Sequence, residues 1–170
     1  LLIDADLRNP GATRQVARHA ERGILEVLQD GVPVRDVIMI NPDTKLAFLP
    51  AVIKRRIPYS SELLASEAMD QLIRDVSDAF DYIVFDLPPL APVVDARAMS
   101  AKLDTYLFVV EWGKTARNVI KKTLMANSTV AAKCAGAILN KVDTERMKFY
   151  QSFGSSEFYY SRYSSYYQSE

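Results

Sequence analysis

Short apolar runs alternate along the chain with segments whose apolar residues recur every three or four positions. The runs are residues 1–3, 46–49, 82–85, 106–110 and 135–139. Their apolar positions are nearly continuous, the pattern of parallel strands covered on both faces. Strands of this kind interleaved with helical segments predict an α/β fold, a parallel sheet with flanking helices. Met69, Leu72, Ile73, Val76 and Phe80 share one face of a predicted helix over 67–80, with Ser66 in the N-cap position. A second helix is predicted over 116–130, with Val119, Ile120 and Leu124 inward and Lys121 and Lys122 outward. Residues 23–38 predict two short helices interrupted at Gly31-Val32-Pro33. Beyond Asp143 the periodicity stops. Residues rich in Tyr, Ser and Phe predict a helical turn or two near 147–153 and then a flexible C-terminal tail. The expected division is a folded domain over 1–144 and a tyrosine-rich tail over 145–170.

Composition narrows the class. The chain has 170 residues, 49% of them apolar, enough for one domain with a real core. Its 21 basic residues balance 21 acidic ones, so no charge excess recommends nucleic acid as a partner. No apolar run approaches the roughly 18 residues of a spanning helix, and no secretory leader is visible. The lone Cys134 rules out an internal disulfide and a cysteine-built metal site, and a reducing, cytoplasmic setting is expected. His19 and the Lys54-Arg55-Arg56 run are expected at the surface, and Cys134 in the interior.

The chemistry lies at strand ends. Leu1-Leu2-Ile3 runs straight into Asp4 and Asp6, and Tyr82-Ile83-Val84-Phe85 into Asp86-Leu87-Pro88-Pro89. Ligands of open α/β sheets bind outside the carboxyl ends of the strands, and two strands here end on acids. Three converging carboxylates repel one another unless a cation or donors neutralise them, which points to Mg²⁺ and a phosphorylated ligand. A single Asp in such a place can simply cap the following turn.

The segment LLIDADLR resembles the Walker A′ motif of bacterial tyrosine kinases, and YIVFDLPP resembles their Walker B motif. The likeness extends through Ser60–Ala68, Val109–Thr115 and Ala137–Lys141 to the tail, nearly the whole chain. Leu87 stands where the family usually has Ser or Thr, and Glu111 where several members have Arg. The resemblance implies a deviant-Walker P-loop NTPase fold lacking its first strand and P-loop, because the chain opens directly on the Walker A′ strand. It implies ATP and Mg²⁺ as cofactors. Asp4 would position or deprotonate the attacking phenol, Asp6 and Asp86 would hold the metal, and Arg8 would steady phosphates or carboxylates. The implied setting is the cytoplasmic face of the inner membrane, with the membrane reached only through a segment outside these residues. The implied partners are neighbouring copies in a ring, polysaccharide export machinery and a tyrosine phosphatase.

Two short motifs mislead. Gly113-Lys114-Thr115 looks like the end of G-x-x-x-x-G-K-[ST], but Phe108 occupies the first glycine position inside a predicted strand. The 170 residues alone therefore lack a phosphate cradle and are expected to be inactive by themselves. Asn140-Lys141-Val142-Asp143 matches a guanine-reading pattern, yet Pro89 stands where a GTPase needs Gly. By the resemblance Asn140 is a candidate contact for the nucleotide base; it equally well just ends a strand.

Six of the nine tyrosines fall in the last 21 residues. Tyr159, Tyr160, Tyr163, Tyr166 and Tyr167 are the expected phosphorylation sites of an autokinase acting on a neighbour. The rival readings are a switch ATPase of the partition or division-site type, which needs no tyrosine tail, and a non-catalytic interaction fragment.

Overall fold

Strand β1 (Leu2–Asp4) is an inner strand of the sheet that carries the acids. It pairs in parallel with β3 (Ala47–Leu49) on one side and β4 (Val84–Asp86) on the other. The outer strand β2 (Met39–Ile40) pairs with β3 antiparallel, giving the order β2-β3-β1-β4. The computed structural model describes residues 1–91 and 94–151. Two units emerge, Leu1–Asp104 with Asn127–Ala132, and Thr105–Ala126 with the residues from Lys133 onward.

In the first unit, Ile3, Leu7, Ile24, Leu49, Leu64, Met69, Leu72 and Met99 are almost wholly removed from water. Each such side chain contributes about 1.5–3 kcal/mol of burial free energy. Their helices are α1 (Gly11–Val16), α2 (Ile24–Asp30), α3 (Ser60–Ala65), α4 (Glu67–Ser77) and α5 (Asp95–Ala98). Helix α4 follows the predicted pattern: Met69, Leu72 and Val76 are buried, and the Ser66 hydroxyl accepts the Met69 N–H at 3.3 Å. It ends at Ser77, leaving Phe80 partly buried beyond it. The interrupted pair also forms, as α2 and a single 3-10 turn over Val34–Asp36. Gly31 makes the break by taking a left-handed φ of 67° as the C-cap.

The second unit contains β5 (Tyr106–Glu111), α6 (Arg117–Ala126), β6 (Cys134–Asn140) and α8 (Thr144–Gln151). Strands β5 and β6 pair in parallel, with Glu111 opposite Asn140 at their carboxyl ends.

Four expectations need correction. The second long helix is two helices, α6 and α7 (Ser128–Ala132), the latter grouped with the first unit. Asn127 intervenes, buried, with its carbonyl accepting the Ala131 N–H; Asn-Ser favours a new helix start over continuation. Val119 faces solvent, and the buried position on α6 is Thr123. Coverage of both strand faces holds for β3 but not for β4, β5 or β6, where Val84, Leu107, Val109, Ile138 and Leu139 are exposed. Each of these strands is an edge in its described sheet, with a neighbour on one side only. Cys134 is half-buried, not interior, its thiol directed at the Gly136 carbonyl. His19 and Lys54-Arg55-Arg56 are exposed as expected. No helix among the described residues is long and apolar enough to cross a membrane. The five tail tyrosines lie outside the described residues.

Candidate functional site

Asp4 and Asp86 are direct partners in the β1–β4 ladder, and the Ala5 N–H bonds the Asp86 carbonyl at 2.9 Å. The acids of both strands therefore leave the sheet side by side, at its carboxyl edge. They differ sharply in access. Asp4 has 0% of its surface exposed, Asp6 is half-buried, and Asp86 is open to solvent.

Burial of Asp4 is tolerated because its carboxylate is satisfied. One oxygen accepts from the Thr13 N–H at 2.7 Å and the Thr13 hydroxyl at 2.8 Å. The other accepts from the Asp6 N–H at 3.2 Å. Thr13 Oγ1 in turn accepts from the Ala51 N–H at 2.7 Å, tying α1 and the loop after β3 to the end of β1.

Asp6 shapes the turn that follows. Its Oδ1 accepts from the Arg8 N–H at 3.2 Å and the Asn9 N–H at 2.9 Å. The Arg8 side chain reaches across to Asp95 and grips it as a fork, Nε to Oδ2 at 3.0 Å and Nη2 to Oδ1 at 3.1 Å. Asp95 is 0% exposed and also accepts the Ser60 hydroxyl at 2.7 Å. This one carboxylate thus joins the loop after β1, the start of α3 and the start of α5.

The electrostatics follow from the crowding. Desolvation pushes the Asp6 carboxyl above the ordinary range; the Asn9 and Arg8 N–H groups oppose that, and Asp4 and Asp95 add to it. Asp86 is raised first by desolvation and then by the charges of Asp4 and Asp6. The Asp95 bond raises Arg8 further, fixing it as a cation. Among the described residues no three His, Cys, Asp or Glu side chains form a metal cage. Mg²⁺ does not need one: it takes one or two carboxylates and completes its octahedron with water and phosphate oxygens. Asp6 and Asp86, accessible and mutually repelling, suit that requirement.

In the second unit, Asn140 is exposed at the end of β6, its Oδ1 accepting the Lys141 N–H at 2.9 Å. Glu111 binds both Lys114, at 2.8 Å, and Lys141, at 3.3 Å, and these bonds, Lys114's foremost, hold its carboxyl below the ordinary range. Gly113 takes a φ of 75° in the turn after β5. Lys114 is engaged by Glu111 and Phe108 lies inside β5, with Gly113-Lys114-Thr115 following the end of that strand.

Sequence reasoning missed Asp95, Ser60 and Thr13. The only hint for Asp95 was another acid after an apolar pair, Val93-Val94; Ser60 opened the family-like segment Ser60–Ala68 without a role of its own, and nothing marked Thr13.

An α/β fold with acids at the carboxyl edge of its sheet is one that known proteins share. The family model described as an AAA domain matches residues 1–138, and the chain belongs to that family. Within it the chain falls with the bacterial tyrosine kinases. It is 30% identical over 157 residues to the tyrosine-protein kinase CpsD of Streptococcus agalactiae, covering 91% of this chain and 67% of CpsD. It is 42% identical over 168 residues to the succinoglycan biosynthesis transport protein ExoP of Rhizobium meliloti, covering 98% of this chain but only 21% of ExoP. The kinase domain of the Escherichia coli tyrosine kinase ETK superposes with a TM-score of 0.73 at 27% identity, covering 82% of this chain and 54% of that one.

Proposed function

We propose that this chain is the kinase region of a protein that uses ATP and Mg²⁺ to phosphorylate tyrosines of its own C-terminal cluster, Tyr159, Tyr160, Tyr163, Tyr166 and Tyr167, on a neighbouring copy. The observation that carries this reading is the pair of accessible carboxylates, Asp6 and Asp86, at the ends of adjacent parallel strands beside buried Asp4. The likeness to named tyrosine kinases and to a succinoglycan transport protein supports it. The protein serves polysaccharide export at the inner face of the membrane, and a tyrosine phosphatase resets it.

The phenol oxygen attacks the γ-phosphorus, the bond from that phosphorus to the bridging oxygen of ADP breaks, and the phenolic proton passes to a carboxylate. Mg²⁺, when bound by Asp6 and Asp86, neutralises charge on the phosphates. A phenol with a pKa near 10 needs a base held close to it. Asp4 is the candidate for that role: its Oδ1, which accepts the Asp6 N–H, keeps a second lone pair for the proton, and this buried carboxylate would have to become accessible to the phenol. Asn140 is proposed to contact the adenine base of the nucleotide. Arg8, gripped by Asp95, steadies the acidic loop.

The test is to incubate the full-length protein with Mg-ATP and map phosphotyrosine by mass spectrometry. Phosphate at Tyr159–Tyr167, lost in Asp6→Asn, Asp86→Asn and Asp4→Asn, is expected. ATP hydrolysis with unmodified tyrosines would move the protein to the switch ATPases. The 170 residues alone, without a P-loop motif, are expected to show neither activity.

A further inference from the structure

The geometry points to Asp95 as a positioning residue that holds the Asp6 loop in its metal-binding shape by gripping Arg8. The inference rests on the reading of Asp6 as a metal ligand and goes beyond it, because Asp95 touches neither metal nor substrate. Asp95 has no exposed surface, and its carboxylate takes two bonds from the Arg8 guanidinium and one from Ser60. A buried charge so fully paired is costly to disturb, so it sits in one place. Arg8 is only partly exposed, at 38%, and its planar fork fixes direction as well as distance. The Arg8 N–H bonds Asp6 Oδ1, as does that of Asn9. The chain of contacts therefore runs from Ser60 on α3 and Asp95 on α5, through the Arg8 side chain, to its backbone and the Asp6 carboxylate. Leu7 anchors the same loop in the apolar core that includes Leu64 of α3, and the grip on Arg8 adds a directed polar tether beside it.

Charge and positioning can be separated by sign. Removing the negative Asp95 weakens cation binding nearby on electrostatic grounds, whereas removing the positive Arg8 strengthens it. Loss of positioning weakens it in both cases. The experiment measures Mn²⁺ binding, without nucleotide, by electron paramagnetic resonance in the full-length protein carrying Asp95→Asn, Arg8→Gln, both together, or Asp6→Asn. Expected are losses of about tenfold for Asp95→Asn, Arg8→Gln and the double variant alike, the size typical of residues that orient metal ligands. Asp6→Asn should lose more. Thermal melts establish which variants are folded, and Arg8→Gln, at a partly exposed position, carries the test if Asp95→Asn is not. Tighter binding in Arg8→Gln, or unchanged binding in Arg8→Gln and Asp95→Asn while Asp6→Asn weakens, would overturn the positioning role. Unchanged binding in Asp6→Asn would instead overturn the reading of Asp6 itself.

Discussion

Asp6 and Asp86 sit where burial and neighbouring acids disfavour their charge. Both carboxyls are raised above the ordinary range by desolvation and then by neighbouring charge. A carboxyl whose pKa is higher folded than unfolded binds more protons in the folded state. Stability therefore falls as pH rises through the interval between the two values, and the loss is complete above the folded one. In protein stripped of divalent cations, Asp86→Asn is expected to raise the melting temperature near neutral pH. The advantage should shrink as the medium is acidified into the ordinary Asp range, where the native carboxyl is protonated. Melting curves at both pH values check this; a neutral-pH Tm no higher than wild type would remove the argument. Asp4, Asp6, Arg8 and Asp86 were legible because each lies at or just after the end of an apolar run. Asp95 was not, because its meaning depends on Arg8, 87 residues away, and on Ser60, 35 residues away. Asn140 was legible as a strand end, and its engaged Oδ1 is what folding added.

At the scale of elements, the junctions carry the site more than the long pieces do. Ser66 serves two helices at once, donating its hydroxyl to the Leu63 carbonyl at the end of α3 and accepting the Met69 N–H at the start of α4. Ser66→Ala is expected to cost about 1 kcal/mol, read from urea unfolding. Gly23 leads into α2 where the backbone passes the loop after β3: a Cβ there would lie 2.0 Å from the Pro50 carbonyl oxygen, which already accepts the Ile24 N–H at 2.8 Å. Gly23→Ala is therefore expected to cost about 1–3 kcal/mol, since the obstacle is backbone and has no rotamer to escape into. A ΔΔG near zero in the same unfolding experiment would mean that α2 shifts freely. Helix α4 could be read from the sequence because eleven residues give an apolar stripe time to repeat and a cap to start it. Helices α1, α3 and α5, of six, six and four residues, are too short to show a period. Helices of that length persist only through tertiary packing, which a sequence pattern does not display. The same holds for β4 to β6, whose apolar runs promised burial on both faces that packing of the described residues does not provide.

Across these 170 residues, 21 basic residues balance 21 acidic ones, so charge added to the tail would not be offset by an existing excess of either sign. A chain with no net charge has little long-range repulsion to hold copies apart. Under the proposed function, phosphates on Tyr159, Tyr160, Tyr163, Tyr166 and Tyr167 would add about −1.5 to −2 each, or roughly −8 to −10 per copy. That charge would gather within nine residues, so phosphorylated tails of neighbouring copies would repel one another. If the unmodified protein associates through its tail, its assemblies should dissociate on phosphorylation at low ionic strength. Salt should restore them in part, because the screening length falls from about 10 Å at 0.1 M to about 3 Å at 1 M. Sedimentation velocity of the full-length protein, with and without Mg-ATP treatment, reads this directly, with a variant carrying Phe at the five positions as the unphosphorylatable reference. Dissociation that occurs at low salt, reverses at high salt and is absent from the Phe variant makes the tail an electrostatic release. Equal sedimentation of the two forms at low salt would leave the tyrosines as acceptors without a mechanical consequence. Dissociation insensitive to salt would place the effect in a lost tail contact instead of in repulsion.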